Sequence, residues 1–272
     1  MLLLNGTLLA AQSLPLPNRG FTFGDGFFET LIVENGRLRL AADHWARMEQ
    51  AAAALYLELP DALDSAEKLE KQLARLAEVH TLRAARLRLH VWRAGAGLYT
   101  PESSAAEWLA TAAPYVANDS LIMQADFARQ THSIYSPLSF CKGPQAWIYV
   151  RAAHERQQRG LDEIILCDTA GHVAEAGAAA IFWMKDGMLY TPSLESGCVA
   201  GVRRAQVLRA ARAAGVKCHQ GLFKEEVLLA ANAVFTANAA AVRLVRHIGW
   251  VAFAGALPPF LARVVAQTDE KW

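Results

Sequence analysis

The chain has 272 residues, of which 53% are hydrophobic and 19% charged, and 27 lysines and arginines stand against 26 aspartates and glutamates for a formal net charge of +1. A sequence this apolar and this close to neutrality is not a disordered one, which needs low hydrophobicity and high net charge, and it lacks the basic run that nucleic-acid phosphates attract. The length predicts one large domain or two modest ones, either of them big enough to enclose a buried active site.

The first forty residues read as strands. Leu2–Leu4 runs into a turn at Asn5-Gly6, and Phe27 to Val33 runs into a hairpin turn at Glu34-Asn35-Gly36 that leads to Leu38–Leu40. From Asp43, a predicted N-cap, the period becomes helical, and Trp45, Met48, Ala52 and Leu55 share one face. A second helix is predicted from Ala62 to Val79 through Leu63, Leu69, Leu73 and Leu76, and a strand from Leu87 to Trp92 among the alternating basic residues Arg86, Arg88 and His90. Arg93 to Pro114 reads as a loop followed by a strand. The pattern weakens between Ala117 and Ser136, where the connection between two halves is expected. A helix follows Lys142 as far as Arg159 and stops at Gly160. Short strands return at Glu163–Asp168, Ile181–Lys185 and Leu189-Tyr190, with turns at Thr169-Ala170-Gly171 and Lys185-Asp186-Gly187, and a last long helix spans Val202 to Ala214 between Gly201 and Gly215. Strands cluster and helices cluster without regular alternation, which predicts an α+β fold.

The apolar start, Met1 to Leu4, lacks the basic lead and long apolar core of a secretion signal. No apolar stretch reaches the roughly 18 residues of a membrane span, so a soluble, cytoplasmic chain without membrane or nucleic-acid partners is expected. Cys141, Cys167, Cys198 and Cys218 are far apart with no CxxC spacing, so neither a zinc site nor a disulfide framework is expected, and each reads as a small buried hydrophobe.

Four features bear on chemistry. The junction Ser196 to Arg203 is a glycine-punctuated loop feeding a helix, which is either a tight turn or an anion site built from helix N–H groups. Lys142 lies in the otherwise uncharged stretch Leu138 to Pro144, either as a desolvated amine able to act as a nucleophile or as a lysine with a buried stem and a wet head. Glu175, in Val173-Ala174-Glu175-Ala176-Gly177, is either exposed at a turn or buried with a cationic or protonated partner. Arg47, near the apolar face of its helix, is either a phosphate fork or a surface charge.

Taken in order, these residues resemble the class IV aminotransferases, the fold-type IV enzymes that use pyridoxal 5′-phosphate. The early part of that signature is Arg19-Gly20, Gly24-Asp25-Gly26 and Phe28-Glu29-Thr30, followed by His44 and Arg47. The second half matches at Lys142, Gly160 to Asp168, Glu175, Phe182, Gly187, Thr191-Pro192, Gly197, Gly201 and Arg203. The resemblance implies two α+β domains, 1–120 and 121–272, with the cofactor between them and the lysine in the second, assembled as a homodimer. It implies that Lys142 forms the internal aldimine and then shuttles the proton between Cα and C4′. Glu175 pairs with the protonated pyridine nitrogen, and Arg47 with backbone N–H groups near Val202 and Arg203 holds the phosphate. A second phosphate contact matches Thr236-Ala237-Asn238-Ala239-Ala240, where Ala239 replaces the usual threonine hydroxyl, leaving the backbone or Asn238 to supply it.

Within the family the reaction is open. The arginine and histidine that trap the substrate carboxylate in D-amino-acid transaminases correspond to Leu98 and Thr100, and the arginine frequent in aminodeoxychorismate lyases also falls at Leu98. Arg88 and the alanine turn at Ala239-Ala240 resemble the branched-chain enzymes, which implies Arg88, Ala240 and Phe28 at the substrate. The asparagine and tyrosine those enzymes carry after the lysine correspond to Gln145 and Trp147. Transamination between an amino acid and a 2-oxo acid is the expected activity. The alternatives are 4-amino-4-deoxychorismate lyase, which yields 4-aminobenzoate and pyruvate, and a non-catalytic binding protein. His90 and His132 read either as pocket residues or as structural ones.

Overall fold

The computed structural model describes residues 1–10, 14, 16–118, 120–143, 146–262 and 264. By contacts the chain divides into two compact units, Met1–Val116 with Cys141–Pro144, and Ala117–Phe140 with Gln145–Trp272.

The first unit contains β1 (Leu2–Leu4), β2 (Thr7–Leu9), α1 (Arg19–Phe23), β3 (Gly26–Glu34), β4 (Arg37–Leu38), α2 (Ala41–Ala54), α3 (Ala66–Val79), β5 (Ala84–Arg93) and β6 (Ala106–Pro114). Its six strands form one antiparallel sheet in the order β2-β1-β6-β5-β3-β4. The two tight hairpins close through Asn5-Gly6 and Asn35-Gly36, all four residues at positive φ. This is the primed turn whose twist matches that of the strands, and asparagine and glycine tolerate it. In β3 and β5 the register places Phe27, Glu29, Leu31 and Val33 beside Val91, Leu89, Leu87 and Ala85, all buried. The alternate residues Phe28 and Thr30 lie beside His90 and Arg88 on the less buried face. Glu29 bonds to side chains of α2, which identifies the face that α2 covers.

Two helix starts differ from the sequence expectation. α2 begins at Ala41 behind Leu40, which holds φ 55° without a side-chain cap, and Asp43 sits inside the first turn, where a carboxylate suits the positive end of the helix dipole. Its buried positions are His44, Arg47, Met48, Ala51 and Ala52, whereas Trp45 is half-buried and Leu55 ends the helix. The apolar period misjudged this face because two polar residues on it, His44 and Arg47, hydrogen-bond a buried carboxylate. α3 begins at Ala66 and not at Ala62, because the Ser65 hydroxyl accepts the Lys68 N–H at 3.2 Å as an N-cap. Leu63 belongs to a separate 3₁₀ turn.

The second unit contains β7 (Ala125–Phe127), α4 (Ala146–Gln158), β8 (Glu163–Cys167), β9 (Val173–Ala176), β10 (Ala180–Lys185), β11 (Met188–Pro192), α5 (Val202–Ala213), β12 (Cys218–Gly221), α6 (Glu225–Leu229), β13 (Ala233–Ala237), β14 (Val242–Val245), β15 (His247–Ile248) and β16 (Val251–Ala252). They form two five-stranded sheets, β12-β11-β10-β13-β14 and β16-β15-β7-β8-β9. One core joins them through Ile165, Val173, Ile181, Trp183, Val234, Val245 and Ile248. On the far side of the first sheet, Phe182, Leu189 and Phe235 pack on Val207, Leu208 and Ala211 of α5. On the second sheet, Ile164 and Leu166 pack on Ile148 and Ala152 of α4. β10 is therefore buried on both faces, and each fully buried large side chain contributes about 1.5–3 kcal/mol. The fold is α+β: antiparallel pairing dominates, with parallel pairing between β11 and β12, β7 and β8, and β7 and β15.

The expectation grouped the lysine-bearing segment with residues 121–272, whereas Cys141–Pro144 packs with the first unit. The reason is a strand-like contact, in which the Phe28 N–H donates to the Lys142 carbonyl at 2.8 Å.

Candidate active site

In the first unit, Lys142 is seated on the start of β3. At the same strand start Gly26 lets the β5 backbone approach, since a Cβ on it would stand 2.2 Å from the Val91 carbonyl oxygen. Lys142 is half-buried. Near it in the same unit lies a buried ionic group that the sequence did not reveal. Glu29 accepts Arg47 Nε at 2.8 Å and Nη2 at 2.5 Å, and His44 Nδ1 at 2.8 Å. Glu29 is 1% exposed and Arg47 6%, so neither charge is tolerable without the other. Burial alone would raise the Glu29 carboxyl, but the Arg47 charge and the hydrogen bonds from His44 and Arg47 hold it down at about 2. Burial lowers the pKa of His44, and the positive charges of Arg47 and Lys142 add to that, against the pull of Glu29. Burial raises the neighbouring Cys141 thiol to about 11, which makes it a poor nucleophile.

The predicted substrate residues Arg88 and Phe28 do meet. The Arg88 guanidinium lies 3.6 Å from the Phe28 ring centroid, with Nη1 3.4 Å from Thr30 Oγ1. His90 flanks the same ring at 5.9 Å. Partial burial and the charge of Arg86 lower the Arg88 pKa, though a guanidinium stays protonated throughout the working range. Leu98 and Tyr99 are exposed on a loop anchored by buried Arg19, which donates to the carbonyls of Ala96, Gly97 and Leu98 and to Asp25.

In the second unit, Glu175 lies within β9 opposite Leu166 and is 4% exposed, so the turn-exposed reading is excluded. Tyr149 Oη donates to Glu175 Oε1 at 2.6 Å, and the Val199 N–H reaches Oε2 at 3.4 Å. Sequence reasoning missed Tyr149; its only signal was a tyrosine in the helix after the lysine. Trp147, at the position of the family's tyrosine, is 55% exposed, and Gln145 lies outside the described residues. His132 is exposed.

The α5 helix begins at Val202 behind Gly201, which offers no side-chain cap. The first N–H groups of such a helix have no partner within it. The Arg203 side chain is engaged with the neighbouring turn. Nε donates to the Asn238 carbonyl at 3.2 Å and Nη2 to the Ala239 carbonyl at 3.1 Å, while Nη1 donates to Gln206 Oε1 at 2.6 Å. Arg203 thus braces the 238–241 turn against the start of α5. Asn238 Oδ1 accepts the N–H groups of Ala240 at 2.9 Å and Ala241 at 3.0 Å, and Nδ2 donates to the Ala178 carbonyl at 3.2 Å. The Asn238 carboxamide oxygen is therefore engaged within the turn, and so is the Ala240 N–H that the branched-chain resemblance assigned to a substrate carboxylate.

Residues 26–248 match the sequence profile of the family described as Amino-transferase class IV. The chain is 33% identical over 119 residues to a branched-chain-amino-acid aminotransferase of Pseudomonas aeruginosa, a match spanning 43% of this chain and 38% of that protein. It is 27% identical over 238 residues to an aminodeoxychorismate lyase of Vibrio harveyi, covering 85% of each. The fold is similar to that of a branched-chain aminotransferase of the thermophilic archaeon Thermoproteus uzoniensis with norvaline, with a TM-score of 0.83 at 21% identity over 95% of this chain and 90% of that one. With the profile spanning most of its length, the chain belongs to the amino-transferase class IV family.

Proposed function

We propose that the chain is a pyridoxal 5′-phosphate-dependent aminotransferase that moves an amino group between an amino acid and a 2-oxo acid. The observation that carries this reading is the buried Glu175 carboxylate with its hydroxyl and amide donors, an acceptor suited to a protonated ring nitrogen. The rest of the donor set fits the same group: a half-buried lysine amine, a glycine-led helix start without a side-chain cap for a phosphate, and a bracing arginine behind the adjacent turn. When bound, the cofactor supplies an electron sink that makes a Cα–H bond of the substrate acidic.

Each residue then has a task. Lys142 Nζ would hold the cofactor and move the proton between the substrate Cα and the C4′ position. Glu175 keeps a proton on the ring nitrogen. Arg47 and the N–H groups of Val202 and Arg203 would hold the phosphate, and the 238–240 turn supports the start of α5 through Arg203. Arg88, backed by Phe28 and Thr30, binds the carboxylate shared by amino acid and oxo acid. The apolar Leu98, where an arginine is frequent in lyases of the family, supports transamination. Homodimerisation belongs to the same reading and is checked by light scattering.

The test is an absorbance screen of the reconstituted protein with L- and D-amino acids. Conversion to the pyridoxamine form, lost in Lys142→Ala, supports transamination, and its absence across the panel refutes it. The second reading, aminodeoxychorismate lyase, draws on the Vibrio harveyi likeness across 85% of both chains and on the occupied Ala240 N–H. Pyruvate and 4-aminobenzoate released without an added oxo acid identify it.

A further inference from the structure

We propose that Tyr149 is a positioning residue for Glu175: its hydroxyl fixes the carboxylate's orientation and keeps it anionic, so that it acts only as an acceptor toward the ring of a bound cofactor. The inference rests on the pyridoxal-phosphate reading above. Tyr149 projects from α4, and its ring packs on the cluster of Ile148, Ala152, Ile164 and Leu166. Leu166 is the cross-strand neighbour of Glu175, so the packing that holds the phenol also aims it at the carboxylate. The Oη–Oε1 separation of 2.6 Å lies in the range of hydrogen bonds from a hydroxyl to an ionised carboxylate, roughly 2.5–2.7 Å. An ionised carboxylate accepts at about four lone-pair positions, and the phenol and the Val199 N–H are two of the donors to this one.

The phenol is suited to this task. Burial, the Glu175 charge and the hydrogen bond itself all push its pKa well above the usual tyrosine value, so it remains a donor. Withdrawing charge from Oε1 makes Glu175 a weaker base, and the shared proton stays on the ring nitrogen. A lysine or arginine in the same place would pair with the carboxylate as a full charge and compete with the ring. A neutral donor orients it and leaves its charge for the cofactor.

The decisive measurement uses the cofactor-free protein, where carbon-13-labelled glutamate and infrared titration follow the buried carboxyl, and Glu175→Gln identifies its band. Removing a hydrogen bond to the charged form in Tyr149→Phe, which keeps the ring packing, raises the Glu175 midpoint by about one to two pH units. Installing 3-fluorotyrosine at position 149, a stronger acid, lowers it, and this variant decides the matter if Tyr149→Phe does not fold. A purely structural tyrosine would move stability without moving these midpoints. In the reconstituted protein the same variants displace the pH midpoint of the cofactor absorbance in parallel. A folded Tyr149→Phe protein with an unmoved carboxyl midpoint overturns the proposal, whether or not the cofactor binds as in the wild type. A wild-type protein that takes up no cofactor overturns the proposed function, whereas the cofactor-free titration decides by itself whether Tyr149 sets the Glu175 carboxylate, so the two failures are read separately.

Discussion

Replacing Glu29 with glutamine removes the charge that neutralises Arg47 inside the first unit, and the cost follows from the structure in two ways. Glu29 is held at about 2 against an ordinary value of 4.5. A depression of about 2.5 units at 1.36 kcal/mol per unit is roughly 3 kcal/mol of stability in the ionised state. Independently, removing one member of a buried ion pair costs about 3–5 kcal/mol, because the other charge stays buried. The sign with pH is fixed. Since the folded pKa lies below the unfolded one, the contribution is complete above pH 4.5 and disappears as pH falls toward 2. His44, whose folded pKa is also lowered, adds a loss that starts as pH falls below 6.5. Urea unfolding monitored by circular dichroism should show Glu29→Gln less stable by about 3 kcal/mol at pH 7, with the gap to wild type closing below pH 4.5. A gap under about 1 kcal/mol at pH 7, or one that stays constant down to pH 3, refutes the reasoning.

Three further outcomes are expected. Gly26→Ala drives a methyl group into the Val91 carbonyl, 2.2 Å away, and should lower Tm by at least about 5 °C in a thermal melt. Arg88→Leu should raise KM for the amino acid roughly 10- to 100-fold with a smaller change in kcat, measured in steady state, since a charge-assisted hydrogen bond contributes about 1.5–3 kcal/mol. Asn238→Ala leaves the N–H groups of Ala240 and Ala241 without their acceptor, and hydrogen exchange at those two amides should quicken while the cofactor is lost faster on dialysis.

What the sequence made legible was local. Asn5-Gly6, Asn35-Gly36 and Asp186-Gly187 each mark a tight hairpin because few residue pairs accept two successive positive φ values. Gly201 ahead of Val202 marks the start of α5 for a similarly local reason. The buried partners were not legible. Glu29 meets His44 and Arg47 across 15 and 18 residues, and a periodicity that counts only apolar side chains treats both α2 residues as misplaced. Glu175 was ambiguous between a turn and a strand because its small neighbours suit either. Tyr149, 26 residues away from it, resolves the ambiguity only in three dimensions. The 238–241 turn shows the same limit, since a string of alanines does not reveal that an asparagine carboxamide already holds two of its amides.

The assignment of Cys141–Pro144 to the first unit matters to anyone dividing the gene. A cut after Val116 would give one fragment without the short stretch that docks on β3 through Phe28 and another carrying that stretch with nothing to receive it. Modular exchange between relatives would succeed only if the stretch around Lys142 travelled with the leading half.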